Sequence, residues 1–237
     1  MNLDRPDIIA ALIDHTLLKP DSSSMDIARV CAEARCASFA SVCINPFWVR
    51  LAKRELDGSP VRVCTVIGFP LGANDTETKI AEARTALTNG AKELDVVQNI
   101  GALRSGEVRV ITQELKQLAN LAHASGALLK VILETALLSA EEKRISCRLA
   151  VESGVDFVKT STGFAAGGAT VEDVTLMRSI VGSTISVKAS GGIRTLAALR
   201  EMVQAGASRI GTSSGLNILK ELDSASDGSP TVDVGSY

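Results

Sequence analysis

Aromatic side chains are nearly missing from this chain: they make up 3% of 237 residues, with a single Trp and a single Tyr. A core built from it must be aliphatic and alanine-rich. Charge of one sign is missing too, since 25 basic and 27 acidic residues leave a formal net charge of -2. That balance gives no electrostatic footprint for nucleic acid or an anionic membrane. No apolar run approaches the roughly 18 residues of a spanning helix. The N-terminal MNLDRPDIIA lacks the charged-then-apolar pattern of a signal peptide. The two histidines, His15 and His123, lie far apart in the sequence, so a local metal motif is excluded and no metal is expected. Cysteine is present but irregular. Five residues, Cys31, Cys36, Cys43, Cys64 and Cys147, form no disulfide framework and fit a reducing, cytoplasmic setting.

What is there is alternation. Short apolar runs alternate with longer helical patterns, as in a parallel sheet with crossover helices. Eight strands are expected near Leu12–Leu17, Phe39–Asn45, Arg62–Gly68, Glu93–Asn99, Leu128–Glu134, Phe157–Thr162, Ile185–Ser190 and Arg209–Thr212. Asp75 with Thr78 opens one helix and Ser139 with Glu142 another. The tripeptides NGA, SGA, SGV and AGA at Asn89, Ser125, Ser153 and Ala205 close helices before strands. Eight strands suggest closure into a single (β/α)8 TIM barrel over residues 1–222, with a doubly wound open sheet as the alternative. No G-x-G-x-x-G follows the first strand, which weakens a dinucleotide-binding version. Residues 223–237, DSASDGSPTVDVGSY, read as a loose tail ending in Tyr237, and composition alone assigns that terminal residue no role.

Ionisable residues stand inside otherwise apolar strands: Asp14, Asp95, Lys130, Glu134, Lys159 and Lys188. Strands covered on both faces should be continuously hydrophobic, so these charges must be paired or must shift their protonation. Lys130 and Glu134, four apart in one expected strand, should share a face. Three lysines meet three acids in this set, and interior ion pairing is the plain alternative to chemistry. A lysine attacks a carbonyl only as the free amine, scarce for a group whose reference pKa is about 10.4. A neighbouring cation lowers it. Lys159 and Lys188 on adjacent strands therefore make a candidate nucleophile and tuner, with Asp95 to move protons. After the last two strands come Ser190-Gly191-Gly192-Ile193-Arg194 and Gly211-Thr212-Ser213-Ser214-Gly215, where barrels commonly hold phosphate. Thr162-Gly163 supplies a further wall. Cys43 reads as a buried structural thiol and Trp48 as packing.

The segments DHTLLKP from Asp14, SVCINP from Ser41, ELDVVQNIGAL from Glu93, LLKVILET from Leu128, DFVKTSTGF from Asp156, VKASGGIR from Val187 and RIGTSSG from Arg209 run in order through nearly the whole chain. Together they resemble the deoxyribose-phosphate aldolases. The resemblance implies a cofactor-free class I aldolase that joins acetaldehyde and glyceraldehyde 3-phosphate reversibly into 2-deoxyribose 5-phosphate. It makes Lys159 the Schiff-base lysine, Lys188 its tuning cation, Asp95 the proton-transfer group and Tyr237 a proton-delivery group on the tail. It places Asp14, Thr16, Thr162 and Gly163 at the sugar, and Gly191, Gly192, Ser213 and Ser214 at the phosphate. Phe164 stands where some members carry a lysine that reaches the phosphate, with Arg194 the candidate to compensate. Gln98 stands where an apolar residue is usual. Two other readings fit the same residues: an enzyme with pyridoxal phosphate on Lys159, and a non-catalytic barrel that binds a sugar phosphate. The expected partners are the small sugar phosphate and aldehyde alone, and a homodimer is compatible with the sequence.

Overall fold

The computed structural model describes residues 2–226. Eight parallel strands hydrogen-bond in sequence order and close on themselves: β1 (Ile13–Leu17), β2 (Ser41–Ile44), β3 (Arg62–Ile67), β4 (Glu93–Val97), β5 (Leu128–Ile132), β6 (Phe157–Lys159), β7 (Ser186–Ser190) and β8 (Arg209–Thr212). This closed barrel rules out the open sheet. Alternate residues of a strand face the interior, so Asp14 and Thr16, Glu93 and Asp95, and Arg209 and Gly211 each form an inward pair. The register sets Asp95 beside Lys130 and Lys159 beside Lys188.

Aliphatic residues seal the outer face of the barrel against the helices, as the shortage of rings demands. In the helix Val108–Ala124 the buried Ile111, Leu115, Leu118, Ala119 and Ala122 make one stripe with helical spacing. Where two helices meet behind the sheet, Lys79 Nζ bonds Glu114 Oε1 at 2.8 Å and the Val97 carbonyl at 2.9 Å. The expected caps are in place. Asp75 accepts from the Thr78 amide, and Ser139 and Glu142 form a capping box. The glycines of the four helix-closing tripeptides, Gly90, Gly126, Gly154 and Gly206, all have positive φ, which a β-carbon would strain. The last helix, Gly215–Ser226, runs past the boundary at 222 drawn from composition.

One strand reading needs correction. β5 ends at Ile132, and Glu134 lies beyond it with φ 56° and ψ 63°. The period-2 rule that put Lys130 and Glu134 on one face stops where the extended backbone stops.

Candidate active site

Within the barrel the strand charges meet. Asp95 is fully buried on β4. Its Oδ2 accepts from Lys159 Nζ at 2.7 Å and from Lys188 Nζ at 2.8 Å, so the two amines share one oxygen. Its Oδ1 accepts from Lys130 Nζ at 2.8 Å and faces the Cys64 thiol at 3.3 Å. One layer lower, Asp14 lies 2.5 Å from Lys188 Nζ and accepts from Ser41 at 2.7 Å and Arg209 at 2.6 Å. Glu93 lies 2.5 Å from Lys130 Nζ and 3.3 Å from Arg209. Glu134, counted among the acids from sequence, is not in this cluster.

The interior set is therefore Asp14, Glu93 and Asp95 against Lys130, Lys159, Lys188 and Arg209. Half-exposed Arg62 adds a contact to Glu93 from the solvent side. Burial alone would raise the Asp95 carboxyl, but Lys130, Lys159 and Lys188 outweigh it and hold the group well below the usual carboxylate range. Burial would lower the Lys188 ammonium, yet Asp14 and Asp95 hold it above the usual lysine value. Lys130 is raised for the same reason, against its own desolvation and with Asp95 as the chief opposing partner. Lys130 and Lys188 thus stay cationic at neutral pH.

Above the cluster a cavity of about 390 Å³ opens at the C-terminal end of the strands. Of the interior charges, Lys159 alone lines it; Lys188, Asp95 and Asp14 lie beneath. Thr16, Thr162, Gly163, Gly191, Gly192 and Ser213 line it. Asp14 and Ser214 do not. Asp14 is fully buried by its ion pairs, and the Ser214 amide is turned inward to Thr212 Oγ1 at 2.9 Å. Gly211 makes room for this arrangement, because a β-carbon there would stand 3.1 Å from Lys188 Cε and 2.9 Å from Ser190 Cβ. Arg194 lines the cavity, and so does Lys19, which sequence reading passed over. Phe164 lines it as well and packs edge-on against Phe69 with ring centroids 5.3 Å apart. Tyr237 lies outside the described residues.

Neighbouring residues find structural roles. His15 bonds Glu33 at 2.6 Å, and His123 bonds Asp156 at 2.9 Å. Gln98 is buried and donates to the Leu133 carbonyl at 3.0 Å, satisfying the chain just past β5. Cys43 is buried with Leu18, Cys64 and Val66. Glu93 and Arg209 were missed because a charge at the start of a strand reads as an exposed end. The signal was their phase, two residues from Asp95 and Gly211.

A closed parallel barrel with one amine of its interior charge cluster reaching the mouth, the rest of that cluster buried beneath and a glycine-lined rim defines an amine-bearing barrel enzyme. The chain belongs to the DeoC/LacD aldolase family, whose model matches residues 8–221. It is 56% identical over 212 residues to the deoxyribose-phosphate aldolase of Bacillus subtilis (strain 168), covering 90% of this chain and 95% of that one. The deoxyribose-phosphate aldolase of Brevibacillus brevis is also 56% identical, over 87% of this chain and 93% of its own. Among solved structures, the deoxyribose phosphate aldolase of Aeropyrum pernix, described as a tetramer, superposes with a TM-score of 0.87 at 35% identity, covering 93% of each chain.

Proposed function

We propose that this chain is a class I deoxyribose-phosphate aldolase, reversibly cleaving 2-deoxyribose 5-phosphate to acetaldehyde and glyceraldehyde 3-phosphate with Lys159 as the Schiff-base residue. The observation that carries the assignment of Lys159 is its position as the one interior amine facing the cavity. As a free amine it leaves Lys130, Lys188 and Arg209 balanced against Asp14, Glu93 and Asp95, so a neutral nucleophile also neutralises the interior. That balance matters where the dielectric is low.

The open-chain aldehyde of the sugar is attacked by Lys159 Nζ, and loss of water gives the protonated Schiff base. Electron withdrawal by that cation allows the C2–C3 bond to break as the C3 hydroxyl gives its proton to solvent, releasing glyceraldehyde 3-phosphate and leaving an enamine. Protonation of the enamine carbon and hydrolysis release acetaldehyde and restore the amine. Asp95 stays ionised beneath Lys159 as a hydrogen-bond acceptor and reaches the substrate only through the amines it bonds. Lys188 remains charged beside Lys159 and shares with it the Asp95 Oδ2 atom. At the rim, the amides of Gly191 and Gly192 and the Ser213 hydroxyl hold the phosphate, with Lys19 and Arg194 as its cations in place of a lysine at 164. No metal or cofactor enters this sequence of steps.

Assembly into at least a homodimer accompanies this reading. A related aldolase is described as tetrameric, and Phe47 and Met25 are more than four-fifths exposed. A cytoplasmic location accompanies it too, given five free cysteines. The described residues contain no helix long and apolar enough to cross a membrane. The test is release of glyceraldehyde 3-phosphate from 2-deoxyribose 5-phosphate in the presence of a chelator. Steady turnover is expected from the intact protein and none from Lys159→Ala. Turnover by Lys159→Ala would overturn the assignment.

A further inference from the structure

Glu134 is a buried carboxylate that the mechanism above does not use. Its side chain lies outside the interior charge cluster, and among the described residues it forms no salt bridge with a basic side chain. Just past β5 the amide of Leu133 bonds the Lys159 carbonyl at 2.9 Å, while the amide of Thr135 bonds the Thr160 carbonyl at 3.0 Å. A regular parallel ladder would carry the second bond one residue further along β6, so Glu134 is an extra residue on its side, a bulge. Its left-handed backbone (φ 56°) is one that side chains with a β-carbon seldom adopt. Bulges re-aim side chains, and strained residues collect at functional sites.

The bulge aims Glu134 at Thr162. Glu134 Oε2 accepts from the Thr162 amide at 3.2 Å and, at short range, from the Thr162 hydroxyl. The same hydroxyl oxygen accepts from the Phe164 amide at 3.1 Å. Thr162 therefore donates its one hydroxyl hydrogen bond to Glu134 and accepts with one lone pair from the Phe164 amide. One lone pair remains, and Thr162 lines the cavity beside Lys159.

We propose that Glu134 is a positioning residue that fixes Thr162 as a hydrogen-bond acceptor, so that the site selects an acceptor aldehyde bearing a hydroxyl next to its carbonyl. The proposal rests on the aldolase reading of this cavity. A site built to accept from a hydroxyl rejects an analogue lacking it, because the acceptor is then buried unpaired.

The test compares glyceraldehyde 3-phosphate with 3-oxopropyl phosphate, its analogue without that hydroxyl, as acceptors for acetaldehyde. Exchange of the acetaldehyde methyl hydrogens with solvent is followed separately, since it needs Lys159 but no acceptor. The unmodified protein should favour the hydroxylated acceptor in kcat/KM by at least about tenfold. Glu134→Gln should shrink that preference about tenfold, acting on glyceraldehyde 3-phosphate alone, with methyl exchange unchanged within about twofold. Thr162→Val should lose the preference likewise, Thr162→Ser should keep it, and Glu134→Gln added to Thr162→Val should cost nothing more. An equal loss on both acceptors in Glu134→Gln would overturn the proposal. So would a preference that survives Thr162→Val, which decides the matter even where Glu134→Gln does not fold. No methyl exchange by the unmodified protein would instead overturn the aldolase reading beneath it.

Discussion

Lys188 sits between two carboxylates and a second amine, and each neighbour constrains what its removal does. Lys188→Leu takes one cation from Asp14 and Asp95, leaving buried carboxylates short of a partner. Loss of one member of a buried ionic set costs about 3–5 kcal/mol, which denaturant titration should register as a lower midpoint. The same change is expected to slow adduct formation at Lys159 far more than it weakens binding of inorganic phosphate, since Lys188 is beneath the cavity and not at its rim. Equal losses in both would contradict the division of labour. At the rim, Lys19→Ala and Arg194→Ala should each raise KM for the sugar phosphate by roughly two- to fivefold, as expected for a partly exposed ion contact, and leave kcat near its original value. Rising salt should erase the difference, because exposed charges are screened. A fall in kcat with KM unchanged would place these cations in the chemistry instead.

At the scale of elements, β1 is tied to the helix Ser24–Ala37 through His15 and Glu33. Burial lowers the His15 pKa, and the bond to Glu33 offsets this only in part. The folded protein thus resists protonating a group that the unfolded chain protonates near 6.5. Stability should be full above that value and decline as the pH falls below it toward the depressed folded value. Thermal midpoints measured between pH 7.5 and pH 5 should fall, and His15→Gln should flatten the slope; an unchanged slope would sink the argument. The elements themselves were legible in outline. Val, Ile and Leu runs mark the eight strands, and Asp75, Ser139 and the helix-closing glycines mark helix ends through local chemistry that needs no tertiary knowledge. The strand ends were not. Asn99, Glu134 and Thr162 continue polar-apolar patterns beyond the point where the ladder stops, and only register between neighbours shows that Glu134 sits on a bulge. For the site, Lys159, Lys188 and Asp95 stood out because charge is costly in a strand buried on both faces. Glu93 and Arg209 lay at strand starts and Lys19 in the loop after β1, where a charge is ordinary and carries no signal.

For the molecule as a whole, the closed barrel explains why few aromatic residues suffice: aliphatic strands meet alanine-rich helices all round, and the interior holds charge pairs with a single ring, Phe157, against Lys130 and Arg209 among the described residues. The homodimer proposed above is tested at an exposed aromatic residue. Phe47 is 83% exposed and packs edge-on against Trp48, with ring centroids 4.8 Å apart. Sedimentation should give a species of at least two copies at micromolar concentration, shifted toward single copies by Phe47→Asp. A single copy for the unmodified protein at all concentrations would remove the homodimer from the account.

Borohydride reduction of the protein with acetaldehyde present, followed by peptide mass mapping, shows which amine reacts. A two-carbon adduct on the peptide bearing Lys159, absent without acetaldehyde, is the predicted result. An unmodified Lys159, or the adduct placed on Lys130 or Lys188, would contradict it.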